Sequence, residues 1–183
     1  MERKIQDNAN ILEQYPQHRQ KLNEVLNSAH NLFGEDFEEP WIIIFQEDID
    51  IVSADSRLNI IYVSSGFFEK SSPEAFGGAI AHESAHLYHN HTLENPLSDE
   101  CQADHTATHI APAEWLIEIL SHPDDINQEA THKHPATQDR LNMLNNEEIL
   151  DLPIGTPLSP QCIPVSNSNE RYDTLSTENT LTR

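Results

Sequence analysis

Apolar positions in the first part of the chain recur at spacings of three, four and seven. Ile5, Leu12, Tyr15, Leu22, Val25, Leu26, Ala29 and Phe33 mark one face of one or two amphipathic helices, with Pro16 placed to interrupt them. An acidic turn, GEDFEEP, follows, and the continuous apolar run WIIIF at 41–45 reads as a buried strand. LNIIYVSS at 58–65 predicts a second strand, and SADS at 53–56 a turn or a short third one. Ser72-Pro73-Glu74 then opens a helix: a hydroxyl to cap it, proline at its first position and an acid in its first turn. That helix is expected to end near Asn90. Another should start at NPLSDE, with Ser98 or Asp99 as its cap, and run to Leu120 with a break at Pro112; a last one should cover Pro135 to Leu144. From Asp151 the pattern vanishes into Pro, Ser, Thr and Asn. The chain therefore divides into a domain at 1–150, with an N-terminal helical segment at 1–35, and a disordered tail at 151–183.

Composition narrows the function. The 183 residues carry 31 acids against 10 Lys and Arg, a formal charge of −21. Such a surface repels phosphate backbones and anionic lipid heads, so nucleic acid and membrane surfaces are excluded as partners. The longest strongly apolar run is far below the ~20 residues that span a bilayer, and the N-terminus lacks a signal-peptide h-region. Two cysteines, Cys101 and Cys162, are too few for a disulfide framework. The expectation is a soluble cytoplasmic protein, with leaderless export left open.

The chemistry lies in AIAHESAHLYHNH, residues 79–91. His82-Glu83-Ser84-Ala85-His86 is H-E-x-x-H: on a helix the two histidines stand about 40° apart and can reach one ion, while Glu83 can poise a water held there. A helix whose histidines only cap or solvate would give the same five letters, so the next helix matters. In SDECQADHTATHIA, residues Glu100, Ala103, Asp104, Ala107 and Ala111 fall within an arc of about 100°. Small residues allow close approach, Glu100 can be a third ligand, and Asp104 can accept the free N–H of a ligand histidine. An ordinary capped helix explains Glu100 but not the alanine stripe. His105 and His109 lie at about 140° and 180° on the same wheel, and are expected as surface histidines rather than a second metal site. His89 shares the face of His82 and His86 and either lines the site or sits as a helix-terminal cation; His91 falls on the opposite face and reads as structural.

These residues resemble the CAAX prenyl endopeptidase and HtpX-like zinc peptidases of the gluzincin group. The resemblance covers about residues 42–146 in four ordered segments: LNIIYVSSGFF, AIAHESAHLYHNH, ECQADHTA and HKHPATQDRLNML. It implies a small mainly antiparallel sheet packed on the H-E-x-x-H helix and a second, glutamate-bearing helix, an α+β fold. It implies one zinc ion on His82, His86 and Glu100, with Glu83 as general base and later acid and Asp104 orienting a ligand histidine. It implies too that His134 and Arg140 lie close to the metal, where they would stabilise an oxyanion or let a histidine occlude the open position. Read from the residues alone, that pair marks a helix start at Pro135 and an Arg140 ion pair with Asp104 or Glu100. Many relatives carry transmembrane helices that this chain lacks, and the gap of thirteen residues between His86 and Glu100 is short, as in the ImmA/IrrE-type regulatory peptidases.

The functional expectation is a zinc endopeptidase acting on a peptide or protein substrate, with the peptide lying antiparallel to an edge strand at 59–64. The alternatives are an ImmA/IrrE-type regulatory gluzincin and a non-catalytic metal-binding interaction module. The substrate, oligomeric state and pathway leave no mark in the sequence.

Overall fold

A computed structural model describes residues 11–35, 37–48, 51–91, 95–122, 129–131 and 134–165. Residues 11–14 are helical, Tyr15 interrupts, and helix α1 (Pro16–Phe33) begins with proline at its first position, as the pattern predicts. Its buried side chains, His18, Leu22, Val25, Leu26 and Ala29, form one stripe that packs on the central helix described below.

Three strands make one mixed sheet in the order β1-β3-β2: β1 (Trp41–Phe45), β2 (Val52–Asp55) and β3 (Ile60–Ser64). β1 runs parallel to β3, with Trp41 opposite Ile60 and Phe45 opposite Ser64; β2 runs antiparallel, with Val52 opposite Val63 and Asp55 opposite Ile60. The architecture is α+β, but two expectations change. The sheet is mixed rather than mainly antiparallel, because the apolar run of β1 is joined to β3 through β2 rather than by a hairpin. SADS lies in a true strand, and that strand, not 59–64, is an edge: β3 is paired on both sides and offers no free edge to a peptide.

A short helix, α2 (Ser65–Lys70), leads into α3 (Pro73–His89), the centre of the molecule. The Ser72 hydroxyl accepts from the Ala75 N–H at 3.0 Å, so the predicted cap is present. Residues 75–81 and 83–85 of α3 are buried, which marks a helix enclosed on most sides. α1, the sheet and two later helices, α4 (Pro96–Ala107) and α5 (Ala113–Leu120), surround it. At Gly77 and Gly78 a Cβ would meet Trp115 at 2.8 Å, so only glycine permits the close crossing of α5.

Pro112 does break the second helical region, leaving α4 and α5 separate. The α4 start differs from expectation: Asn95 stands at the cap position with Pro96 next, and Ser98 and Asp99 lie inside the first turn. Two further helices follow, α6 (Thr137–Leu144) and α7 (Glu147–Leu150).

The segment from Asp151 is not the disordered tail that its composition predicts, at least as far as Val165. Leu158 and Cys162 are buried, Leu158 pairs with Pro164 in an isolated bridge, and Cys162 is disulfide-bonded to Cys101 of α4. One long-range bond and one buried leucine hold what no periodicity marks. The remainder of the expected tail, 166–183, lies outside the described residues. Among the described residues no helix is long and apolar enough to cross a membrane.

Candidate metal centre

α3 and α4 pack side by side and bring the donor groups of three residues together. His82 Nε2 lies 3.1 Å from His86 Nε2 and 3.4 Å from Glu100 Oε2, and His86 Nε2 lies 3.3 Å from Glu100 Oε1. Zinc bound tetrahedrally at about 2.0–2.1 Å spaces its ligand atoms by about 3.3–3.4 Å. The spacing of these groups therefore suits one small cation, with one ligand atom from each residue within 4.8 Å of the others. These three residues form the group able to hold a metal ion among the described residues.

The alanine stripe does what its position on the wheel predicts. Ala103 and Ala107 are fully buried and Ala111 nearly so, which lets α4 lie close to its neighbours. Asp104, fully buried on the same face, accepts from His82 Nδ1–H at 2.8 Å, which leaves Nε2 as the nitrogen that faces His86 and Glu100. Arg140 of α6 closes the other side of that carboxylate, with Nε to Oδ2 at 2.6 Å and Nη2 to Oδ1 at 2.7 Å, and Nη1 3.7 Å from Glu100 Oε2. The ion pair read from the residues alone is thus present.

Burial and pairing compete at each of these groups. Burial pushes the Asp104 carboxyl up, but the Arg140 guanidinium and the His82 ring outweigh it and hold it down to about 2. Burial also disfavours protonated His82, yet Asp104 and Glu100 raise it to about 10. Glu100 is opposed by burial and held well below the usual carboxylate range by hydrogen bonds from His134, His82 and His86. The metal-free cluster thus keeps the His82 ring protonated, a proton that a bound cation would displace.

The cluster opens into a cleft of about 920 Å³ whose far wall is residues 51–57, including strand β2. Glu83, on α3 beside His82 and His86, lines the same cleft and is itself largely buried. The Ser64 N–H donates to the Ile51 carbonyl at 2.9 Å, so antiparallel alternation turns the main-chain groups of Ser53 and Asp55 toward β3 and those of Val52 and Ala54 toward the free edge. His134 stands at the mouth, half exposed, with Nδ1 3.2 Å from Glu100 Oε2. All seven residues predicted for the site, His82, Glu83, His86, Glu100, Asp104, His134 and Arg140, are therefore gathered around this cleft or directly behind it.

The outer histidines differ from expectation. His91 is not remote from the site: its Nδ1 lies 2.9 Å from His86 Nδ1 and its Nε2 2.9 Å from Gln102 Oε1. α3 ends at His89 because Asn90 turns left-handed, φ 51° and ψ 44°, and the reversal swings His91 back over the helix end. A helical wheel extended past Asn90 cannot show this; an asparagine at a helix end was the available signal. His89 neither ligates nor stands free as a terminal cation. Its Nε2 meets the Thr106 hydroxyl at 2.8 Å, its ring stacks on His91 at 5.0 Å, and burial followed by the neighbouring imidazoles lowers it to about 4, which keeps it neutral. His105 does face away from the cluster, but it is fully buried rather than on the surface; His109 is exposed.

Comparison of the chain with protein-family models, with curated proteins and with solved structures finds no match.

Proposed function

We propose that the protein is a zinc-dependent endopeptidase. The observation that carries this reading is the donor group of His82, His86 and Glu100 placed beside the Glu83 carboxylate, in a cleft walled by a strand that is an edge among the described residues. A zinc ion held on those three residues would supply a Lewis acid and a water acidified to a pKa of ~7.

The chain's own residues account for the rest. Glu83 accepts the proton of the attacking water and returns it to the leaving amine. Asp104 holds His82 in the tautomer that presents Nε2, and Arg140 keeps Asp104 ionised and in place. A substrate main chain adds to β2 through the N–H and C=O groups of Val52 and Ala54, which replaces the 59–64 edge expected from sequence. His134 lines the cleft at its mouth, where its ring N–H, turned from Glu100 to a substrate carbonyl, would donate to a developing oxyanion. Resemblance to the CAAX and HtpX-like peptidases supports the same assignment through the ordered segments from LNIIYVSSGFF to HKHPATQDRLNML.

The test is Glu83→Gln. This variant should hold as much zinc as the parent and cleave a denatured protein or peptide library at least about 10²-fold more slowly, the size of a lost general base. Equal cleavage by the variant would remove Glu83 from the mechanism. Zinc binding with no cleavage by the parent protein would instead favour a metal-holding interaction module.

A further inference from the structure

The two ligand histidines are supported differently. His82 has a buried carboxylate behind it, the ordinary arrangement for a metal-ligating imidazole. Among the described residues His86 has none: its rear nitrogen, Nδ1, faces another imidazole nitrogen, His91 Nδ1, at 2.9 Å. Two ring nitrogens at that distance share one proton, so one must donate and the other accept.

The direction is decided one residue further on. His91 Nε2 lies 2.9 Å from Gln102 Oε1, and an amide oxygen only accepts. His91 therefore carries its proton on Nε2, and a neutral His91 then has a bare Nδ1. His86 must donate to it from Nδ1–H, which leaves His86 Nε2 with its lone pair directed at the donor group. Were the Gln102 amide turned to present its N–H₂, every proton in the chain would reverse. His86 would then carry hydrogen on Nε2, where it cannot ligate.

We propose that His91 and Gln102 are positioning residues that set the tautomer and ring orientation of His86, a relay ending on the same helix that supplies Glu100. The inference rests on the metal-centre reading above. The relay is built into the fold at both ends. Asn90 supplies the left-handed turn that brings His91 back, His89 stacks on the His91 ring with planes 13° apart, and Thr106 of α4 holds His89. Gln102 sits two residues after Glu100, so the register of α4 that delivers the third ligand also delivers the acceptor.

The experiment reads the His86 tautomer and the zinc affinity separately. Imidazole ¹⁵N shifts of the metal-free protein should place the His86 proton on Nδ1. Gln102→Leu and His91→Ala should each shift His86 toward the Nε2–H form and weaken zinc binding, measured by chelator competition, by about 10–100-fold. Gln102→Glu keeps an acceptor for His91 and should stay within about threefold of the parent. A merely structural role would lower the melting temperature of the metal-free variants without moving the tautomer. The relay is overturned if His86 carries its proton on Nε2 in the parent, or if Gln102→Leu binds zinc as the parent does. A parent protein that binds no zinc would instead overturn the metal centre, while the ¹⁵N shifts would still decide the relay.

Discussion

Helix α4 carries two attachments at adjacent residues. Glu100 turns one way and meets His82 and His86; Cys101 turns the other and is bonded to Cys162 of the segment 151–165. The first attachment is made of buried charges and imidazoles, each satisfied by a partner: Asp104 by His82 and Arg140, His86 by His91, His91 by Gln102. The second is made of one covalent bond and a small apolar contact around Leu158. The polar face is worth little to stability unless complete, because a buried charge that loses its partner costs more than the pair contributed. The clasp acts mainly by restricting the unfolded chain, so its loss should weaken the fold without disturbing the donor atoms.

The predictions test that division. The largest effect on the polar face should come from Asp104→Asn, which removes the charge facing buried Arg140. About 3–5 kcal/mol of stability should be lost in chemical denaturation, with zinc affinity down about 10–100-fold. On the clasp face, Cys162→Ser should cost about 2–4 kcal/mol, yet leave the zinc bound per chain unchanged. If that variant lost its metal, the two faces of α4 would not be separable. Leu158→Ala should be milder than either, at the low end of the about 2–5 kcal/mol of buried leucine truncations, again with the metal retained.

The smallest effect is that of pH on the metal-free protein. His89 and His105, both shielded from solvent, are lowered from their ordinary value, burial being the first cause for each. The unfolded chain takes up protons near pH 6.5 that these folded groups refuse, so stability present above 6.5 is lost as pH falls toward about 4, the His89 value. His82 has the opposite sign: its contribution is complete below 6.5 and gone once pH passes about 10. The acid side should therefore show the loss, as a melting temperature lower at pH 5 than at pH 7. A flat profile between those values would mean that the histidines are open to solvent.

The two faces of α4 were also unequally legible in the sequence. The polar face follows local rules: His82 and His86 are one helical turn apart, and Glu100, Asp104 and the alanines share one arc of a second helix, so their meeting needs only that the helices pack. The wheel failed where the helix stopped. Extending α3 past Asn90 gives His91 the opposite face, whereas the left-handed turn there reverses its direction. The wheel turns His105 away from Glu100 but does not foresee its burial, because a wheel gives direction and not what packs against it; α7 and the chain beyond it cover that side.

The clasp had no periodic signal at all. Its prolines and hydroxyl residues match a disordered linker, and the bond between Cys101 and Cys162 spans 61 residues, a separation that composition cannot weigh. A disulfide persists in an oxidising compartment, so the bond pulls against the cytoplasmic location that the sequence suggests. β2 was missed as the edge for a related reason. Apolar strength made 59–64 conspicuous, and apolar strength marks the centre of a sheet rather than its rim.

The central claim is that His82, His86 and Glu100 hold one metal ion. Element-resolved mass spectrometry of the purified protein, set beside Glu100→Ala and the double variant His82→Ala/His86→Ala, tests it most directly. The account predicts one equivalent of zinc per parent chain, a strongly reduced content in Glu100→Ala and none in the double variant. Zinc retained at the parental level by the double variant, or absent from the parent after dialysis against excess zinc, would contradict it.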